Sequence, residues 1–517
     1  MKSFKVKMFT KKRFIELAAV ILFGLFVRLY GLSAESLWFD EAFTIKFARL
    51  DLLEIFSRCN NNPPLYNMIM HEWIHFFGVS EFSIRLPSVV FGVLALFVMY
   101  KIGCRIFNKN VGLLSSLLLG ISAFHIWYSQ EARNYSLAVL ATLLSMYFFL
   151  KLLKSGHPKT LLGYIFFSFL LMYSHIYGLF IIFSQNMYLG CLFLFSGQTI
   201  RISLKKWGLS QLGLLILFSP WIAIFINRLL FVQTGDWWLA EPNIHSIFRS
   251  FLIYSNNNRF LLYLFLAAAS FSIISLKMVR EVKEQGYFLK LIAICPTKYR
   301  LENIKKICFL FFWLLTPVVV PFLISLFVTP LYHTRYTIVA VPAFYLLVCK
   351  GVDSIKGKHF KLLVICIITA FSLHTLWQYN TEINKAQWRE VVGYIDAHAR
   401  ESDLLLFRPF VCKEILFNYY SQRDDLVRKG AFIKKGFSKT GFSEKEKSID
   451  PLIDRLDDQY LEELGEALQG YKRVWVIIPF KGGVEGPLGK KLSESFKESF
   501  HRRYIGVDLY LFERRSD

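Results

Sequence analysis

The chain has 517 residues, of which 54% are hydrophobic and 17% aromatic, with a formal net charge of +23 and a mean hydropathy of +0.40. That apolar content excludes a soluble globule of this length, and repeated apolar runs of about 18–22 residues indicate a polytopic α-helical membrane protein. Nucleic-acid binding does not follow from the charge, because Lys and Arg sit mostly in short connections between apolar runs, where they set topology.

A basic segment containing Lys2, Lys5, Lys7, Lys11, Lys12 and Arg13 precedes the first apolar run, Phe14–Leu32. The run is too long for a signal h-region and no small-residue cleavage site follows it. A retained span with a cytoplasmic N-terminus is expected. The next loop, roughly residues 33–82, is external on this reading. Asp40–Arg58 and Pro64–Phe77 show helical apolar spacing but are too short and polar to span, which suits interfacial helices. Asn60-Asn-Asn-Pro-Pro64 separates them as a helix stop.

Further spans follow at Leu86–Phe107, Val111–Ile126, Tyr135–Leu153, Leu161–Tyr173 and Leu179–Leu194, then Leu209–Ile226, Phe260–Leu276, Ile307–Val328, Tyr336–Val352 and Leu362–Trp377. That is about eleven spans, with Lys and Arg in every inner loop, including the strongly basic Lys277–Lys306. The external segments are Trp127–Asn134, the turn at His175-Ile-Tyr-Gly178, the loop with Arg228 and Asp236-Trp-Trp238, and Pro330–Arg335. From about Tyr379 apolar runs shorten to strand length, so residues 379–517 read as a small extracytoplasmic α/β domain after a transmembrane domain, residues 1–378. Strands are expected at Val474–Pro479 and Tyr504–Phe512, helices at Glu390–Arg400 and Asp454–Gln469, and a flexible basic loop at Arg428–Lys447. Of the eight cysteines only Cys59 and Cys412 face outside, and their spacing supports neither a metal site nor a disulfide.

Adjacent acids at a membrane boundary point to function, which singles out Asp40 and Glu41 in Trp38-Phe-Asp-Glu41. Asp40 also suits the N-cap of the first interfacial helix, with Glu41 in its first turn. A helix-starting acid can serve as a general base as well, if a lipid-borne substrate presents its head group there. Glu131 and Arg133, flanked by Trp127, Tyr128 and Tyr135, lie in an outer turn. They read equally as an ion pair of little weight or as substrate-binding groups. Arg335, beside Tyr332, is the only full charge in its turn. It is either a snorkelling side chain or a phosphate clamp, whose planar fork of donors matches phosphate oxygens. His71 and His75, with Glu72 between them, share a helix face and could offer two ligands to a divalent metal; a plain polar face explains them too. His175 is either an interface histidine or part of a substrate pocket.

Gly482-Gly-Val-Glu-Gly-Pro-Leu-Gly-Lys490 fails as a phosphate loop, since its glycine spacing is wrong and Lys491 stands where Ser or Thr is needed. There is no Asp-x-Asp and no Gly-x-Ser-x-Gly.

Trp38-Phe-Asp-Glu-Ala42, Asn62-Pro-Pro-Leu-Tyr66, Glu81-Phe-Ser-Ile-Arg-Leu-Pro87, Tyr128-Ser-Gln-Glu-Ala-Arg-Asn-Tyr135 and Arg335-Tyr336 before Pro342 resemble the C-type (GT-C) membrane glycosyltransferases. The resemblance is to the group holding dolichyl-phosphate-mannose protein mannosyltransferases and bacterial lipid A aminoarabinose transferases. It covers roughly residues 10–350 and extends to Lys385-Ala-Gln-Trp-Arg-Glu390. Asn62 stands where the family often has His. The resemblance implies a polyprenyl-phosphate-linked sugar donor, transfer on the outer face with inversion, and Asp40 as the first-loop acid with Glu41 its neighbour. A lipid, glycan or protein acceptor fits, in a bacterial inner membrane, with no nucleic-acid partner. Glu131, Arg133, Tyr128, His175, Tyr332 and Arg335 become substrate-binding candidates. The resemblance makes no cofactor certain and leaves a divalent metal ion open. A transporter or flippase of lipid-linked sugars is the alternative, although no internal repeat is visible. A receptor using the outer domain is another. An oligosaccharyltransferase is disfavoured, because Trp237-Trp238 is followed by Leu-Ala rather than Asp-Tyr-Gly.

Overall fold

The computed structural model describes residues 11–515, except 59–61, 196–201, 233–238, 240, 274–275, 284–285, 294–296, 408–412, 429–463, 467, 480–483 and 485. Asp236-Trp-Trp238, Cys59, Cys412, the Arg228 side chain, all but the first residue of Arg428–Lys447 and most of Asp454–Gln469 lie outside the described residues, and residues 464–466 and 468 of the last are helical.

Helices occupy every apolar run singled out above: α1 (Lys11–Leu29), α5 (Glu81–Ile106), α6 (Lys109–Gly120) with α7 (Ala123–Ser129), α8 (Tyr135–Ser155), α9 (Pro158–Ser174), α10 (Gly178–Phe195), α11 (Leu204–Val232), α13 (Arg259–Ile273), α14 (Thr297–Phe327), α15 (Val341–Ser354) and α16 (Lys358–Thr381). Among the described residues six helical stretches are long and apolar enough to cross a membrane, and a seventh is the α6–α7 pair, bent by 62°. The chain is thus a polytopic helical membrane protein. Close approach needs small residues, since apolar lipid gives helices no hydrophobic reason to associate. A methyl at Gly351 of α15 would sit 1.6 Å from the Ala268 carbonyl oxygen of α13. One at Gly92 of α5 would sit 2.3 Å from Ser129 Oγ, so glycine lets α7 lie against α5 beside the later turn.

The first long loop differs from the expected pair of helices. Asp40–Arg58 breaks at residues 49–51 into α2 (Phe39–Ala48) and α3 (Leu52–Arg58), and α4 (Leu65–Phe77) follows, with Pro64 preceding its first turn. Asp40 is not the N-cap. Trp38 holds that place, and Asp40 and Glu41 both lie in the first helical turn. α12 (Ile244–Tyr254) precedes α13. The basic Lys277–Lys306 stretch carries an antiparallel hairpin, β1 (Leu276–Lys283) and β2 (Gly286–Ala293).

Beyond α16 lie α17 (Trp388–His398), β3 (Leu404–Phe407), β4 (Arg473–Pro479), α18 (Pro487–Ser495), β5 (Phe496–Tyr504) and β6 (Val507–Arg514). The sheet order is β3-β4-β6-β5, with β3 parallel to β4 and the other pairs antiparallel. The expected single strand Tyr504–Phe512 is instead a hairpin turn and the strand after it, and Gly506 takes the positive φ of 72° that the turn demands. β4 and β6 read as near-continuous apolar runs because both faces are covered. Leu405, Phe407, Trp475, Ile477, Leu509 and Leu511 face α17, while Leu404, Leu406, Val474, Val476 and Ile478 face Leu488 and Leu492 of α18. The α17 face is continuous with Leu37, Ala42 and Ile45 around α2 and with Tyr66 and Met70 of α4. One apolar core therefore joins the sheet to the loop that carries Asp40.

Candidate active site

Tertiary packing converges on α2. Asp40 accepts a 2.9 Å bond from the Arg335 guanidinium, across 295 residues of sequence. The pair is only partly covered, the side chains being 26% and 14% exposed. Arg335 opens a 3₁₀ turn, Thr334–Ala340, which His333 caps by accepting from the Arg335 N–H. The Arg133 guanidinium approaches from the α7–α8 turn, 3.4 Å from the Asp40 carbonyl and 3.5 Å from Thr44 Oγ1. Its main chain is fixed from below: the Arg133 carbonyl accepts from Ser88 of α5, which also bonds the Tyr66 hydroxyl. Burial opposes the Arg133 charge, but Asp40 together with Tyr135 and Tyr336 holds its pKa above the ordinary value. Its Nε has no partner among the described residues. One carboxylate thus faces two guanidinium groups, an excess of one positive charge.

Aromatic rings wall this group. Tyr128 meets Tyr135 at 4.5 Å, Tyr135 stacks on Tyr336 at 6.3 Å, and Arg335 lies 5.9 Å over Tyr336. His175, just beyond α9, packs on Tyr336 at 5.0 Å. Burial, then Arg133 and Arg335, lower its pKa to about 3, so the ring is neutral. Its Nδ1 accepts from the Tyr177 N–H, which leaves Nε2 as a buried N–H without a partner among the described residues. Tyr332 is less available, because its hydroxyl is engaged by Ser250 and Ser246 of α12.

Glu41 departs most from expectation. It is fully buried and cannot reach a substrate hydroxyl. Arg85 of α5 grips it in a bidentate pair at 2.7 and 2.8 Å, the Ala132 N–H adds a third bond at 3.0 Å, and Lys385 Nζ stands 3.4 Å away. Arg85 spends its other donors on the Leu32, Glu35 and Ser36 carbonyls. Burial alone would raise the Glu41 pKa; Arg85 and Lys385 overcome this and bring it to about 2. Arg85 and Lys385 stand within the motifs Glu81–Pro87 and Lys385–Glu390. Nothing local in the sequence marks them as partners of Glu41.

Glu131 is also buried, with one oxygen bonded by Trp127 Nε1 and the other without a partner among the described residues. Burial raises its pKa to about 7, against the pull of Lys385 and with the repulsion of Glu41 and Asp40. His71 stands apart from the site, its ring bonded to the Ala48 carbonyl, and His75 lies on the same helix. Among the described residues no group of three or more His, Cys, Asp or Glu is placed to hold a metal ion.

A family model described as dolichyl-phosphate-mannose-protein mannosyltransferase matches residues 61–224. No curated protein matches the chain by sequence. Among solved structures, the chain is similar to ArnT from Cupriavidus metallidurans in the apo state, with a TM-score of 0.59 and 12% identity, covering 96% of this chain and 97% of that one. Bound to undecaprenyl phosphate, the same enzyme matches with a TM-score of 0.56 and 9% identity over 97% and 98%. The archaeal oligosaccharyltransferase AglB from Archaeoglobus fulgidus, in complex with an inhibitory peptide and a dolichol-phosphate, gives 0.51 and 11% identity over 97% of this chain and 74% of that one. At such identities the likeness to each structure is one of fold.

Proposed function

From the chain's place among the C-type membrane glycosyltransferases of the mannosyltransferase and ArnT type, we infer that it moves a sugar from a polyprenyl-phosphate donor to an acceptor hydroxyl on the outer face of the membrane. The observation that carries this reading is the half-open Asp40–Arg335 pair with Arg133 beside it. Two guanidinium groups and one carboxylate leave one positive charge, which the single negative charge of a donor phosphodiester balances. Once Arg335 is drawn onto the phosphate, the Asp40 carboxylate is free to take a proton.

Asp40 accepts the acceptor's hydroxyl proton as that oxygen attacks the anomeric carbon. The new carbon–oxygen bond forms while the bond to the phosphate oxygen breaks on the opposite side, so the anomeric configuration inverts. Polyprenyl phosphate leaves with the bonding electrons. Arg335 and Arg133 meet the charge that grows on its oxygen, and their fixed placement needs little reorganisation. The buried Nε2–H of His175 supplies a neutral donor at the same wall. Tyr128, the one of the three wall tyrosines that is not buried, presents a ring against which a sugar can lie, with Tyr135 and Tyr336 packed behind it. Lipid, glycan and protein acceptors all offer the required hydroxyl.

The test is Asp40→Asn, reconstituted with a labelled polyprenyl-phosphate sugar and an extract of envelope acceptors. Transfer is expected to fall by roughly 10²–10⁴-fold while undecaprenyl phosphate still binds. Transfer near the wild-type rate by the folded variant would remove Asp40 from the mechanism.

A further inference from the structure

Lys385 lies just past α16, in the segment that leads into the sheet domain, and is 6% exposed. A lysine that far from water needs partners, and it has three. Its Nζ donates to the Gln130 carbonyl at 3.1 Å and stands 3.4 and 3.5 Å from the two Glu41 oxygens. The surrounding segment is anchored by its own contacts. The Lys385 N–H is 3.1 Å from Glu35 Oε1, the Ala386 carbonyl accepts from Ser36 Oγ, and Arg389 pairs with Glu81. The sheet domain therefore inserts one cation behind the turn that holds Glu131 and Arg133.

Charge explains why it is there. Glu41 is already matched by Arg85, so a second buried cation is in excess unless another acid shares it. Two acids are placed to share it: Glu35, whose Oε1 accepts from the Lys385 N–H, and Glu131, which follows Gln130 directly and feels Lys385 as its strongest opposite charge. The other groups facing Glu131 are Glu41 and Asp40 of α2, the Trp127 indole of α7, Tyr66 of α4, Tyr128, Tyr135 of α8 and Tyr379 of α16. Lys385 itself is faced by Glu41, Arg85, Glu131 and Glu35. No other cation is a main influence on Glu131.

We propose that Lys385 is a positioning residue for the transfer site, holding the Gln130–Arg133 turn in place and supplying the counter-charge of Glu131. It acts through that turn on Arg133 and so on the donor phosphate. This rests on the reading of Asp40, Arg133 and Arg335 as the transfer site. The outer domain is then part of the active site, which is incomplete without it.

The experiment uses the full-length protein in lipid nanodiscs and two substitutions. Lys385→Met removes the charge and the bond to the Gln130 carbonyl. Lys385→Gln removes the charge but keeps a donor. The infrared carbonyl band of the protonated Glu131 carboxyl, identified by its loss in Glu131→Gln, is followed across neutral pH. In the wild type it disappears as pH rises through about 7. In both Lys385 variants it is expected to persist to higher pH, by about one unit. With the labelled donor, kcat is expected to fall about tenfold in Lys385→Met and less in Lys385→Gln, with KM for the donor within about twofold. An unmoved band together with wild-type kcat overturns the proposal. Loss of the thermal unfolding transition in both variants overturns it too, by assigning Lys385 to the fold rather than to the turn. A band shifted in the variants, with no sugar transferred by the wild type or the variants, supports the counter-charge and sinks the transfer reading instead.

Discussion

Asp40 and Glu41 are neighbours in one helical turn, yet they occupy opposite surroundings. Asp40 is partly open to solvent and holds a single guanidinium contact, Arg335 at 2.9 Å. Glu41 is sealed, with two cations and a main-chain N–H on its oxygens. A group that must exchange protons and partners needs access and a partner that can leave. A group that must hold three elements together needs the reverse. The first turn of α2 supplies both because successive residues of a helix point about 100° apart, so one side chain faces the cleft and the next faces α5.

Arg85→Met breaks the sealed side most severely. Glu41 would stay buried with only Lys385 at 3.4 Å and the Ala132 N–H on its oxygens, and removing one partner of a buried ion pair costs about 3–5 kcal/mol. The expected result is a large drop in the thermal transition in detergent, measured by intrinsic fluorescence. Adding Glu41→Leu should recover much of the loss, since an apolar pair of similar volume removes the charge along with its partner. A single variant as stable as the wild type would mean that Glu41 is not held as described.

Acid sharpens the same contrast. The Glu41 pKa is depressed to about 2 from an ordinary 4.5. Its contribution is therefore fully present above the unfolded value, and it is lost as pH falls from about 4.5 through 2. The difference corresponds to about 3 kcal/mol. Melting curves between pH ~6 and ~2 should show this loss in the wild type and a shallower one in Glu41→Gln. Parallel curves for the two proteins would remove Glu41 as the source.

Arg335→Lys has the smallest expected effect and probes the open side. Lysine keeps the charge but lacks the planar fork, so donor binding and turnover should weaken by about 10- to 100-fold with little change in stability. Competition by undecaprenyl phosphate measures it. A shift in the melting transition as large as that of Arg85→Met would show that the two sides are not distinct.

Part of this was legible in the chain alone. Continuous apolar runs located the helices, because in lipid each backbone group must be satisfied within its own helix, which makes a span a local property. The same locality located α17 and β4, although the break at residues 49–51 and the α6–α7 bend left no clear local signal. β5 has no clean alternation to read, because Phe496–Tyr504 is an edge strand with Lys497, Glu498, His501, Arg502 and Arg503 exposed on both faces and an irregular register between Glu498 and Phe500, and its pattern runs on into the next strand across Gly506. Asp40 stands out in the sequence as an acid at a membrane boundary, and Glu131, Arg133, His175 and Arg335 as charges or rings in short turns.

Hydropathy and charge spacing, read within tens of residues, imply a polytopic helical bundle with acids and arginines in its boundary loops and turns. Which acid meets which cation is set by packing. Asp40 finds Arg335 across 295 residues, and Glu41 finds Arg85 across 44 and Lys385 across 344. Local periodicity carries no information at such separations. The packing of α2 against α5, and of the sheet domain against α2, turned two equivalent carboxylates into one exposed and one sealed.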